Sequence, residues 1–276
     1  FKAKPFLWVH DLWPESVKDA GGIKNKFLLF MVDLMTKSIY YFYDNILVQS
    51  PSFKYYLLDQ GVSEDKIIFY PYYAENFYRV VKENSEIKSK FGTGLKIIFA
   101  GNIGVAQSFD TIIDAAKILA IKLKNFKFII IGDGRDRNRV QKKIADNSLI
   151  DYFKFLGSHP PEKMPVFFAS ADALLVSLKD TKIFSMTIPG KLQSYFACGK
   201  PIIASLNGIG AKLVEESKSG FTSKAEDAQS LADSVYKFSK LSSAQKKELG
   251  KNARIYYEKE FERSRLIKRL INIFDK

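Results

Sequence analysis

The chain has 276 residues, 46% apolar and 14% aromatic, which suits one or two packed domains and excludes a disordered polypeptide. Its one cysteine, Cys198, rules out an internal disulfide and any thiolate zinc site, and points to a reducing, cytoplasmic setting. The formal charge of +13 is unevenly placed: residues 1–79 hold nine basic and nine acidic residues, whereas residues 80–276 hold 34 and 21. An excess confined to one part fits a phosphate-bearing ligand, an anionic membrane surface or nucleic acid, with a solvated lysine-rich surface as the plain alternative.

In chain order, residues 6–9 read as a strand that delivers His10 and Asp11 to its carboxyl end, where ligands of open α/β sheets sit. An ordered turn follows through Ser16. Residues 24–43 read as a long, very apolar helix with a narrow polar face at Asp33 and Lys37. Such a helix packs on a sheet, or lays part of its face on a membrane surface. The apolar run 27–32 is far too short to span a bilayer. A strand at 46–48, a helix at 51–59 closed by Gly61 and a strand at 67–69 complete this part. That is half of a doubly wound domain, so further N-terminal strands are expected before Phe1.

Residues 71–79 read as an aromatic linker, and the domain boundary is placed there, giving domains 1–79 and 80–276. After a helix at 83–91 a regular alternation begins. Strands are predicted at 96–100, 126–131, 152–155, 173–176 and 201–204. Helices are predicted at 109–123, 136–146, 164–170, 191–198 and 211–216, with closing helices at 227–239, 244–260 and 263–274. The alternation predicts an α/β fold with parallel strands and helices on both faces.

Three glycine-bearing turns follow strands. Gly101-Asn102-Ile103-Gly104, leading to Gln107, lets backbone approach a ligand at a helix start. It is not a dinucleotide fingerprint: the pattern is GxxG, and no acidic residue stands about 20 positions on. A redox cofactor is therefore not expected. Gly132-Asp133-Gly134, followed by Arg135, reads as a tight turn or a phosphate loop. The third, Thr187-Ile188-Pro189-Gly190-Lys191, leads into a helix that Gly199 and Pro201 end. A helix start carries free amides and a partial positive charge, and Lys191 adds a full one. The two histidines and one cysteine support neither a Cys/His dyad nor a metal cluster, and no aromatic-basic nucleic-acid signature occurs.

Together HDLWPES, AGNIGVAQSFDTIIDAA, IIGDGRDR, TIPGKLQSYFACGKPIIAS and LGKNARIYYEKEF resemble the family-four glycosyltransferases of GT-B type. The branch resembled assembles bacterial O-antigen, capsule and colanic-acid-like polysaccharides. The resemblance implies two Rossmann-like domains, with the N-terminal one incomplete here and the C-terminal one binding a nucleotide-sugar. It implies that His10 meets the donor sugar, that Gly101 and Gly104 form the diphosphate loop, and that Phe155-Leu156-Gly157 is the base-binding edge. It also implies that Thr187 to Lys191 hold the sugar and phosphates.

There are departures. The broad family has Arg and Lys where this chain has Asn102 and Gln107, and two glutamates where it has Met186 and Ser194. Lys191, Arg135 and the helix starts would then supply the countercharge. The expectation is a retaining transferase, without metal or cofactor. It would move sugar from a UDP-sugar to a polyprenyl-diphosphate-linked saccharide at the cytoplasmic membrane face, with no nucleic acid as partner. The alternatives are a non-catalytic nucleotide-sugar or membrane-surface binding module, and an NAD-linked oxidoreductase.

Overall fold

A computed structural model describes residues 4–19, 23 and 25–275. Its elements fall into two compact units. One holds the chain through Tyr72 together with Thr181–Ile188; the other holds Tyr73–Asp180 and the chain from Pro189 onward.

The first unit contains β1 (Phe6–Val9), α1 (Glu15–Asp19), α2 (Lys26–Phe42), β2 (Asn45–Val48), α3 (Pro51–Asp59) and β3 (Ile67–Phe69). The strands form a parallel sheet in the order β1-β2-β3. β2 is buried along nearly its whole length, as a central strand covered on both faces must be. Asn25 caps α2, its side chain accepting from the amides of Phe27 and Leu28 at 3.0 and 3.2 Å. The helix predicted from Lys24 thus starts two residues later, and Lys24 itself lies outside the described residues. Only a thin stripe of α2 is buried, including Thr36 and Tyr40. The opposite half is apolar and exposed: Phe27, Phe30, Met31, Leu34, Met35 and Phe42 all lie there, with Phe27 72% and Phe42 74% accessible. The turn predicted after His10 closes as the short helix α1.

The second unit contributes α4 (Ser85–Lys90), β4 (Leu95–Ala100), α5 (Phe109–Lys122), β5 (Phe126–Ile131), α6 (Arg137–Asp146), β6 (Phe153–Gly157), α7 (Met164–Ala169) and β7 (Ala173–Ser177). The chain then passes through α8 (Lys182–Met186), which packs in the first unit through buried Ile183. It returns as α9 (Gly190–Ala197), β8 (Ile202–Ser205), α10 (Ile209–Glu216), β9 (Gly220–Ser223), α11 (Ala228–Ser239), α12 (Ser243–Glu260) and α13 (Arg263–Phe274). α12 opens on a capping box between Ser242 and Gln245.

The six strands are parallel in the order β6-β5-β4-β7-β8-β9. The chain steps outward from β4 through β5 to β6, then crosses back to β7 and steps the other way. The loops at the carboxyl ends of β4 and β7 therefore splay apart, and such a switch point opens a crevice. Beneath it, Phe99, Phe109, Phe126 and Phe128 are fully buried and meet edge to face at 4.8 Å (Phe99–Phe109) and 5.8 Å (Phe126–Phe128). The α/β reading holds. Two elements differ from expectation. β9 was not predicted, because its Gly-Phe-Thr-Ser run lacks a β-branched apolar core and lies at the sheet edge. α8 likewise lies outside the predicted elements; it makes one helical turn because the Thr181 hydroxyl accepts from the Phe184 amide at 3.2 Å.

Candidate active site

At the carboxyl ends of β4, β5 and β6, and at the start of α9, the second unit holds a cavity of about 530 Å³. Its floor is the end of β4. There Gly101 takes φ +131°, a conformation that strains any residue with a Cβ. The neighbouring turn is set as tightly: Gly132 has φ +139°, and a Cβ on it would stand 1.9 Å from the Gly101 carbonyl oxygen. The two turns interlock through amides as well, Ile103 donating to the Asp133 carbonyl at 2.8 Å.

One wall is the first turn of α9. Pro189, with φ −62°, precedes Gly190, so the helix opens without a side-chain cap and its first amides have no intrahelical acceptor. In its satisfied orientation the buried Gln193 amide donates to the Pro189 and Gly190 carbonyls at 2.9 Å each, which fixes this turn. Tyr195 anchors the helix to the sheet: its hydroxyl accepts from the Ala100 amide at 3.2 Å and donates to the Leu175 carbonyl at 3.3 Å. Phe168 meets the Tyr195 ring edge-on at 5.2 Å and stacks near Tyr78 at 6.3 Å, giving an aromatic wall.

Lys191 projects from that first turn under Gly101. Its Nζ lies 4.0 Å from the centroid of the Phe99 ring and 3.3 Å from where a Cβ on Gly101 would stand. Part of the side-chain stem reaches the surface, yet the amine is enclosed and has no hydrogen-bond partner among the described residues. Burial pushes its pKa down to about 7, because the charged form loses water and gains only a ring face in return. Asp133 lines the same cavity. Its carboxylate accepts from the Gly134 amide at 2.8 Å and pairs with Arg137 at 3.2 Å.

The cavity gathers Gly101, Asn102, Gly190, Lys191 and Ser194 among the residues singled out from sequence. Gly104 and Gln107 stand just behind it: a Cβ on Gly104 would meet the Asn102 and Gln107 side chains, and the Gln107 Oε1 is buried without a partner. Pro189 is buried as the residue capping α9. Arg135 is exposed beyond the Gly132 turn and outside the cavity lining. Phe155 packs on the core, and Leu156 lines a second cavity of about 550 Å³. His10, Asp11, Thr187 and Ile188 belong to the first unit. His10 is exposed there at the carboxyl end of β1; its carbonyl accepts from Gln49 at 2.9 Å, and its Nδ1 contacts the Tyr72 hydroxyl. The Thr187 hydroxyl donates to the Ile183 carbonyl at 2.8 Å.

Sequence reasoning missed Tyr78, Ser158, His159 and Tyr195 as lining residues. Ser158 and His159 carried a usable signal, since they directly follow a predicted strand. Tyr78 and Tyr195 carried none beyond apolar spacing. Among the described residues no group of three or more His, Cys, Asp or Glu is placed to hold a metal ion, and no helix is long and apolar enough to cross a membrane.

Known proteins share this architecture. The crystal structure of Anabaena Alr3699/HepE in complex with UDP and glucose superposes with a TM-score of 0.77 at 17% identity, covering 99% of this chain and 72% of that one. The amylovoran biosynthesis glycosyltransferase AmsK of Erwinia amylovora is 29% identical over 55% of this chain and 37% of its own length. Glycosyltransferase MJ1069 of Methanocaldococcus jannaschii is 27% identical over 94% of this chain and 65% of its own length. The chain thus spans less than two thirds of the length of each of these two relatives. The fold is the GT-B type, with a parallel α/β sheet in each unit, and the family model for glycosyl transferases group 1 matches residues 80–256. With that match extending over more than half of its length, the chain belongs to the group 1 glycosyl transferases.

Proposed function

We propose that this chain is part of a retaining glycosyltransferase that moves a sugar from a UDP-sugar to a polyprenyl-diphosphate-linked saccharide in surface polysaccharide assembly. The observation that carries the reading is the Lys191 amine, enclosed and unpartnered at the edge of a cavity that three strand ends and a helix start surround. A diphosphate placed there meets the α9 amides, the open Gly101 backbone and the Lys191 amine, all positioned before the ligand arrives. Charge on the diphosphate grows as the sugar–oxygen bond breaks, so donors fixed in advance lower the barrier. The acceptor hydroxyl forms the new bond from the same face, and its proton leaves with the diphosphate. Ser194, with Asn102, takes the place of the ribose and phosphate contacts that the wider family makes with charged side chains. The Gly157 turn with Ser158 and His159 is assigned to the base. His10 keeps the contact with the donor sugar that the resemblance implies. With the α9 helix start and Lys191 supplying the countercharge, the reading invokes no metal or cofactor.

The branch is supported by the likeness to AmsK, and the UDP moiety by the fold shared with a UDP-bound protein. The acceptor sits at a membrane, and we assign the apolar outer half of α2 to contact with an anionic bilayer on the cytoplasmic side. A thermal-shift panel of UDP, GDP and NAD, followed by transfer to a lipid-linked acceptor, tests the reading. UDP stabilises the protein and NAD does not; stabilisation by NAD alone overturns it.

A further inference from the structure

Lys191 poses a problem that its proposed role does not settle. An ammonium without acceptors in an enclosed site is costly, and proteins relieve that cost by releasing the proton. Here the amine has the Phe99 ring on one side and the Cβ-less Gly101 on the other. Gly101 thus keeps free the space beside Nζ that a Cβ, 3.3 Å from it, would crowd.

Resting on the reading of this cavity as a diphosphate site, we propose that Lys191 is a proton-linked anion grip. The amine takes a proton from solution as the diphosphate enters, so that donor binding and protonation of Lys191 are one event. One N–H bond forms on the Nζ lone pair as a hydronium or buffer acid gives up its proton, and the ligand's negative charge holds the ammonium in its charged form.

The other titratable groups facing Nζ do not replace it. Asp133 is committed to Arg137 and to its own turn. Tyr78, on the connection that precedes α4, and Tyr195, on α9 itself, are both pushed upward by burial and stay neutral at working pH. His159, after β6, also lines the cavity. The Lys191 amine, at about 7 when the cavity is empty, is mostly neutral at pH 8. An opposite charge within a few ångströms restores the charged form.

The test is calorimetric titration of the whole chain with UDP at pH 6 to 9, in buffers of different ionisation enthalpy. UDP is fully ionised at pH 8, since a terminal phosphate loses its second proton near pH 6. The expected result is uptake of about one proton per UDP at pH 8, falling toward zero below pH 7, with affinity weakening about tenfold per pH unit above pH 8. Lys191→Met and Lys191→Arg abolish the uptake, the first with no charge to gain and the second with a charge it never loses. His159→Gln, a change at the assigned base edge, weakens UDP binding but retains the uptake per UDP bound. UDP binding to the wild type without uptake overturns the linkage and leaves the diphosphate reading standing, as does uptake that survives Lys191→Met or vanishes in His159→Gln. Failure of UDP to bind at any pH overturns both.

Discussion

The two units use one construction, parallel strands joined by helices, to different ends. In the second, β4 is covered on both faces, its residues from Ile97 to Phe99 are fully buried, and the enclosed Lys191 amine, without a hydrogen-bond partner among the described residues, sits against the Phe99 ring near its carboxyl end. In the first, α2 gives its sheet only a narrow stripe and turns Phe27, Phe30 and Leu34 outward. The difference lies in what the helices face. A helix between two covered faces spends its apolar residues on its own core. α2 carries more apolar surface than the described three-stranded sheet covers.

The sharpest contrast comes from truncating one aromatic in each unit. Phe99→Ala empties a fully buried ring site and also removes the surface under Lys191, so it costs about 3–5 kcal/mol in chemical denaturation. Phe30→Ser, on the outer half of α2, changes stability by no more than about 0.5 kcal/mol. A large loss at Phe30 would break the comparison. If stability is kept, Phe30→Ser with Leu34→Ser should still lower co-sedimentation with anionic phosphatidylglycerol vesicles.

The next effect is on turnover. Lys191→Ala lowers transfer from a UDP-sugar about a hundredfold or more, in line with the loss of one fixed donor to a developing charge, and leaves the fold intact. Wild-type turnover in that variant would remove the lysine from the chemistry.

A smaller effect follows from the same amine through pH. Its folded pKa of about 7 lies below the ordinary lysine value of about 10.4. Between those limits the unfolded chain holds more protons than the folded one, so the wild type gains stability as pH rises, by up to about 1.4 kcal/mol per unit. Lys191→Met lacks this slope. It is more stable than the wild type near pH 7, and its lead shrinks toward pH 10. Parallel stability curves for the two proteins would show that the amine keeps its charge without cost.

The smallest effect concerns Cys198. Burial pushes its thiol up to about 12, so it resists thiol reagents in the folded protein and reacts once denatured. Rapid labelling of the native chain would contradict the packing of α9 against α12.

Much of this fold was legible before any coordinates. Leu-Lys-Ile-Ile-Phe-Ala and Phe-Lys-Phe-Ile-Ile-Ile are nearly unbroken apolar runs with turn residues beyond them, which only covered parallel strands require. β9 was not legible, because Gly-Phe-Thr-Ser takes its strand form from pairing with β8 and not from its own propensities. α8 was not either, since its one turn depends on the Thr181 cap and on Ile183 finding a core elsewhere in the chain. The site divides in the same way. Gly101 and Lys191 announced themselves by residue type and by position after a strand and at a helix start. The enclosure of Lys191 did not, because it arises where a missing Cβ on one turn meets a ring of β4 and a helix from much later in the chain. Tyr78 and Tyr195 were hidden for the same reason: sequence-distant segments bring them to one cavity.

The central claim is that an enclosed lysine grips a diphosphate. Paired titrations at pH 7 with UDP and with uridine, for wild type and Lys191→Met, test it most directly. The variant is expected to bind uridine as the wild type does and to lose most of the gain that the diphosphate brings. Equal UDP affinity in the two proteins would contradict it.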